Sequence, residues 1–248
     1  MAATSPLTII HFNDVYETGP RKTEPVGGAS RFSTVMKGFA GEDAVVVFSG
    51  DALNPSITST VTKGKHMCEV LNRLGTTVSL VGNHDLDFGF ETLQRWLPIC
   101  KFPWLLSNIL DSAGACLPGL FATHTVTTAR GHKVGFVGIV EQEWTATVKD
   151  IREGFSYVDS SQTAARLLKQ LRDEDHCDVL ICVAHMRWPR MVELAKAVPG
   201  FHAILGGHDH FYQSEFLGDT LLLISGTDFR DLTHITITPV CFLSHPSC

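Results

Sequence analysis

The chain has 248 residues, 44% of them hydrophobic, enough to bury one large core, and nothing in its composition demands a second domain. A formal net charge of −6 argues against a nucleic-acid surface built on clustered Lys and Arg, but still permits a small anionic ligand whose charge metals balance. No stretch approaches the roughly 20 apolar residues of a membrane helix. Residues 1–6 lack the basic region of a secretory leader, and seven cysteines without a Cys-x-x-Cys pair fit reduced thiols. A cytoplasmic location is therefore expected, with neither a membrane nor a nucleic acid polymer as partner.

Taken in order, Leu7–Phe12 predicts a buried first strand that delivers Asn13 and Asp14 at its exit. The polar, Gly- and Pro-bearing segment 18–31 is too long for a tight turn and is expected to overhang that exit. A helix over 31–39 precedes the apolar strand 44–49, which is bounded by Asp43 and Gly50 and leads into Asp51; so unbroken a run predicts a strand covered on both faces. Helix 65–74 stops at Gly75, strand 77–81 runs into Gly82-Asn83-His84-Asp85, and helix 90–97 ends at Pro98. This β-α-β alternation predicts a mostly parallel sheet.

A short strand over 104–106 follows, then a hairpin of 123–129 with 133–140 about Arg130-Gly131-His132. Ser160 and Ser161 are expected to cap a helix whose Ala164, Leu167, Leu168 and Leu171 form one apolar stripe. Strand 179–184 opens onto His185, and a helix with Pro189 in its first turn carries the stripe Met191, Leu194, Ala195 and Val198. Strand 203–205 opens onto Gly206-Gly207-His208-Asp209-His210, and strands over 220–224 and 232–238 follow.

Five strands thus end on polar groups, and Asp14, Asp51, Asn83, His185, His208 and His210 offer two carboxylates, one amide oxygen and three imidazoles. Such a mixed oxygen and nitrogen set suits Mn, Fe, Co or Zn better than Ca or Mg. A shared carboxylate, here Asp51, can hold two cations about 3.5–4 Å apart, the separation used in two-metal hydrolysis. Each residue alone could equally be a satisfied polar group at a strand end; five such ends together point to a site. His66, His124, His132, His176, His202 and His245 lack partners at ligand spacing and are expected at the surface or at caps. Arg187 and Arg230 could touch an anion or make structural ion pairs. Gly27-Gly28 reads as a turn, since no nucleotide-binding loop pattern supports it.

Asn13-Asp14, Gly50-Asp51, Gly82-Asn83-His84-Asp85, Ala184-His185 and Gly206-Gly207-His208-Asp209-His210 resemble, in order, the motif blocks of the calcineurin-like metallophosphoesterases, and most closely the catalytic domain of the 5′-nucleotidase group. Gly27 to Arg31, Ser107-Asn108 and Ser225-Gly226-Thr227 add to a likeness spanning about 7–238. The resemblance implies an α/β fold, a four-layer α/β/β/α sandwich of mixed sheets. It implies two divalent transition-metal ions, one held by Asp14, Asp51 and His210 and the other by Asp51, Asn83, His185 and His208. A metal-activated water would be the nucleophile. His84 is implied as hydrogen-bond donor to the phosphoryl group, with Asp87 holding and charging its imidazole. Asp85 and Asp209 are read as groups that orient ligands.

The implied function is 5′-nucleotidase-like hydrolysis of a small phosphorylated substrate, a nucleotide. The alternatives are a phosphodiesterase or sugar-phosphate phosphatase on the same site, or a non-catalytic scaffold. The chain is expected to form one domain over 1–248, with a short tail at 241–248 and no C-terminal substrate domain of the kind the group carries. The first block departs from the family's usual Asp-x-His, because Tyr16 stands at the His position. A neutral phenol with a pKa near 10 is a poor ligand. Tyr16 is therefore expected to pack beside the site with its hydroxyl on water, and coordination of Fe(III) is the alternative.

Overall fold

The computed structural model describes residues 5–39, 41–146, 148 and 154–238; the expected tail at 241–248 and His245 lie outside them. Two sheets dominate. The first has the strand order β13-β1-β2-β3-β4, formed by β1 (Leu7–Phe12), β2 (Val45–Phe48), β3 (Val78–Leu80), β4 (Trp104–Leu105) and β13 (Thr233–Ile237). Strands β1 to β4 are mutually parallel, and β13 closes one edge antiparallel to β1, with Ile9 opposite Ile235. The β-α-β reading of the N-terminal half is correct, because continuous apolar runs such as Val45–Phe48 are buried on both faces.

The second sheet runs β11-β12-β10-β9-β7-β6, from β6 (Thr123–Thr127), β7 (Lys133–Val140), β9 (Val179–His185), β10 (Ala203–Gly207), β11 (Tyr212–Leu217) and β12 (Thr220–Ser225). Its four central strands are parallel, and the edge strands β6 and β11 are antiparallel to their neighbours. A small pair, β5 (Ile109–Leu110) with β8 (Ser156–Tyr157), stands apart.

Strand β9 shows how the layers form. Val179, Ile181 and Val183 join the core shared with the first sheet, whereas Leu180, Cys182 and Ala184 face a second core with the helices. Side chains alternate along a strand, so a fully apolar strand needs cover on both sides. On the outer side that cover is α5 (Ser160–Asp173), through Ala164, Leu167, Leu168 and Leu171, and α6 (Trp188–Ala197), through Met191, Leu194 and Ala195. Each fully buried leucine contributes about 2 kcal/mol. Around the first sheet, Phe32 and Met36 of α1 (Ala29–Lys37) and Met67, Cys68 and Leu71 of α3 (Lys65–Arg73) complete the core. The result is the expected four-layer α/β/β/α arrangement.

Three details differ from the sequence reading. Asp159, not Ser160 or Ser161, caps α5: its carboxylate accepts the Gln162 N–H at 2.9 Å, and Ser160 is already the first helical residue. His132 is buried rather than exposed, because Thr128 and His132 bond to each other across the β6–β7 turn. Strand β11 gave no signal, since both faces of this edge strand are mostly exposed and polar residues interrupt its aromatics. Among the described residues no helix is long and apolar enough to cross a membrane.

Candidate metal centre

The carboxyl ends of β1, β2, β3, β9 and β10 meet at one edge of the sandwich, and the side chains that follow them converge. Asp14, Asp51 and His185 are at most 1% exposed, and each offers one ligand atom within 4.8 Å of the others. Asp14 Oδ2 accepts the Asn13 amide at 2.7 Å and the His208 backbone N–H at 2.9 Å, which leaves Oδ1 facing the cleft, 3.4 Å from His210 Nε2. Asp51 Oδ1 accepts the His84 backbone N–H at 2.8 Å, while Oδ2 lies 3.2 Å from His185 Nε2. Asn83 Oδ1 sits 3.2 Å from His185 Nε2 and 3.0 Å from His208 Nδ1. All six residues expected as ligands are therefore gathered in one place, and Asp51 stands between the two expected groups.

The backbone works to hold them there. Asp14, Asp51 and His208 have φ of 51°, 66° and 85°, a left-handed conformation that non-glycine residues adopt at a cost and that clusters at functional sites. Asp85 offsets part of that cost. Fully buried, it accepts N–H groups from Asp51, Ala52, Leu53 and Gly82 at 2.8–2.9 Å and so knots the second and third strand exits together, which matches its expected orienting role. Gly82 is required by close approach, since any β-carbon there would collide with the Asp51 carboxylate. Asp209 likewise accepts the Trp188 N–H at 2.8 Å and anchors the start of α6.

The electrostatics call for a cation. Burial opposes charge on His185, but the Asp51 and Asp14 carboxylates outweigh it and push the imidazole up to about 10. Asp51 is itself held below its ordinary value: burial raises it, and His185 and His84 more than offset that. Two dry carboxylates facing one imidazole is the field in which a metal ion replaces a proton. His185 is set up for it, since Nδ1 donates to the Ser49 carbonyl at 2.8 Å and so turns Nε2 inward, the ring orientation typical of a metal-binding histidine. The donor set fits transition metals.

Tyr16 is where the expectation fails. Its ring is buried beside the site, but its hydroxyl lies 3.0 Å from Asp14 Oδ1, 3.1 Å from Asp51 Oδ2 and 3.0 Å from His210 Nε2, so it is turned onto protein groups. Burial first, then the two carboxylates, hold its proton on strongly. The turn after Asp14 explains the aim: Thr227 Oγ1 and the Asp228 N–H both bond to the Asp14 carbonyl, and Asp228 Oδ1 accepts the Tyr16 N–H at 3.2 Å. Segment 18–31 lies against the same turn through an Arg21–Asp228 ion pair and the packing of Gly27 on Asp228 and Arg230.

At the open side, His84 Nδ1 lies 2.7 Å from Asp87 Oδ2. The Asp87 bond, the largest influence, raises the His84 pKa against its partial burial. Arg187 makes the structural ion pair expected of it, with Glu141 and Glu143, whereas Arg230 bonds to the Thr227 carbonyl. Sequence reasoning missed His11, which is fully buried with its ring nitrogens 2.7 Å from Ser225 Oγ and 2.8 Å from Ser49 Oγ, and Glu141, a buried carboxylate 3.9 Å from His208 Nε2. A histidine inside the apolar run Leu7–Phe12 was the available signal for the first.

A family model for calcineurin-like phosphoesterases matches residues 7–212. The chain is 24% identical over 229 residues to a probable 5′-nucleotidase of Treponema pallidum, covering 87% of this chain and 38% of that protein. It is 28% identical over 221 residues to the mouse 5′-nucleotidase, again covering 38% of the relative and 83% of this chain. The chain thus spans about two fifths of the length of these relatives. The fold matches a 5′-nucleotidase precursor structure from Thermus thermophilus with a TM-score of 0.82 at 18% identity, over 94% of this chain and 51% of that one. With the matching motif blocks assembled at one sheet edge, the chain belongs to the calcineurin-like phosphoesterase family.

Proposed function

We propose that this chain is a single catalytic domain that hydrolyses phosphate monoesters, with nucleotides as the substrate class. The observation that carries the reading is the joining of two devices through Asp51. One carboxylate oxygen faces the cluster of candidate ligands, and the other accepts the N–H of His84, whose side chain pairs with Asp87. Asp14, Asp51 and His210 would hold one metal, and Asp51, Asn83, His185 and His208 the other. When bound, the metals supply positive charge to the phosphoryl oxygens and activate a water.

The chain's own residues do the rest. Asp87 accepts a hydrogen bond from His84 Nδ1–H, which leaves Nε2–H to donate to a phosphoryl oxygen as negative charge builds there. The Ser49 carbonyl holds His185 in place, and the Asn13 side-chain amide holds Asp14. Nucleotide preference is supported by the relatives, which are named as 5′-nucleotidases.

The test is phosphate release from several nucleoside monophosphates, an aryl phosphate and a bis-aryl phosphate, with Mn, Zn, Co or Fe added to chelator-treated protein. Metal-dependent turnover of the monoesters, well above the diester, is expected. Turnover of the diester alone would favour a phosphodiesterase, and no turnover with any metal would favour a scaffold.

A further inference from the structure

Asp87 ends the 3-10 turn His84–Leu86 and is partly exposed, so the carboxylate that should orient His84 stands where water competes for it. The structure supplies a second hold. Asn54, three residues after Asp51, donates its side-chain N–H to Asp87 Oδ2 at 2.6 Å, the same oxygen that meets His84 Nδ1 at 2.7 Å. Asn54 is held in turn, because the Ser59 hydroxyl shares its proton between the Asn54 Oδ1 at 2.7 Å and the Ser56 carbonyl at 2.8 Å. Ser59 is buried and tied into α2 (Ile57–Thr62) by a reciprocal capping box with Ser56. A continuous chain therefore runs from the helix to the imidazole: Ser59 to Asn54 to Asp87 to His84.

We propose that Asn54 is a positioning residue for the reaction, locking the rotation of the Asp87 carboxylate and, through it, the plane of the His84 ring. This rests on the reading of His84 and Asp87 as the catalytic pair. Two donors on one carboxylate oxygen fix its orientation where one leaves it free to turn toward solvent, and small misplacements of a reacting group are costly. The placement also ties the device to the metal-side loop. Asn54 continues the segment whose Asp51, Ala52 and Leu53 N–H groups are held by Asp85, so the ligand loop and the imidazole share one frame. Among the described residues the Asn54 side chain bonds to Asp87 and Ser59 and to no candidate ligand, so its hold on His84 runs through Asp87.

The experiment is a double-mutant cycle with His84→Asn, read as kcat and KM on an aryl phosphate, with metal content measured for each protein. Asn54→Ala should lower kcat about tenfold, with KM within about twofold and metal content unchanged. Asn54→Asp keeps the shape but sets a carboxylate against Asp87, and should lose at least as much. In the His84→Asn background neither change should cost more than about twofold, because the group being positioned is gone. Equal losses in both backgrounds, a loss carried by KM or by metal content, or an Asn54→Asp enzyme of normal kcat would overturn the assignment of Asn54. Normal turnover in His84→Asn alone would instead overturn the catalytic pair, and this inference with it.

Discussion

The two sheets bring different chemistry to the cleft. Strands β1, β2 and β3 of the five-stranded sheet end on Asp14, Asp51 and Asn83, all oxygen donors, whereas β9 and β10 of the six-stranded sheet end on His185, His208 and His210, all nitrogen donors. Neither sheet alone offers the mixed set that suits a transition metal. Their joining depends on a polar seam beneath the site. His185 bonds to Ser49 of the first sheet's β2 exit, Ser49 Oγ donates to the Leu205 carbonyl at 2.8 Å, and Asn13 exchanges bonds with Ser225 and Gly226 at 2.8 and 2.9 Å. His11 sits within that seam between Ser49 and Ser225. In this fold, the packing of the two sheets is also what brings the candidate ligands together.

The largest effect should come from removing the group between the two halves. Asp51→Ala is expected to lower metal-dependent hydrolysis by on the order of 10³-fold or more, because it takes a donor from both proposed metals and an acceptor from His84. Steady-state phosphate release measures this, and activity within tenfold of the parent would deny Asp51 a shared role. Next, His84→Asn should lose on the order of 10²-fold in kcat while keeping its metals, since His84 contributes to neither donor group. Elemental analysis beside the kinetics separates the two, and loss of metal together with activity would show that His84 is misassigned.

A smaller effect is expected at Tyr16, which lies on the oxygen-rich side against Asp14 and Asp51. Tyr16→Phe should change affinity at the first proposed site by roughly tenfold and leave the second within about twofold, as a neighbour of ligands does. Competitive chelator titration reads both sites, and equal changes at the two would refute the asymmetry.

The smallest effect concerns the seam. Burial pushes His11 down to about 3, so it is neutral in the fold and protonates near 6.5 once unfolded. The unfolded chain then binds the extra proton between those values, and stability is lost as pH falls from about 6.5 toward 3. His11 contributes up to about 1.4 kcal/mol per pH unit to that slope. His11→Asn should be less stable at pH 7 but should show a shallower decline toward pH 5 in urea unfolding. A decline as steep as the parent's would remove His11 from the acid response.

Much of this was legible in the sequence, and for a physical reason. A buried parallel strand is an unbroken apolar run, and the abrupt change to Asn13-Asp14, Gly50-Asp51 or Gly82-Asn83 marks its exit, so the strands and the six candidate ligands could be read together. What could not be read was direction. Whether Tyr16 points at water or at Asp14 is decided by Thr227 and Asp228, more than 200 positions later in the chain. Asn54 was hidden because Asn-Pro-Ser reads as an ordinary turn, and its partner Asp87 is adjacent only after β2 and β3 pair. Strand β11 lacked alternation, since an edge exposed on both faces imposes none.

Asp51 is proposed to serve the oxygen-bearing and the nitrogen-bearing sheet alike, through one oxygen toward His185 and a place beside Asp14. Metal equivalents per chain, measured by elemental analysis on the parent and on Asp51→Ala after identical loading and desalting, test that shared role without any assay of activity. The parent should retain about two equivalents, and Asp51→Ala should lose more than one of them. An Asp51→Ala protein that keeps one tight site at full occupancy would contradict the shared role and separate the two halves of the centre.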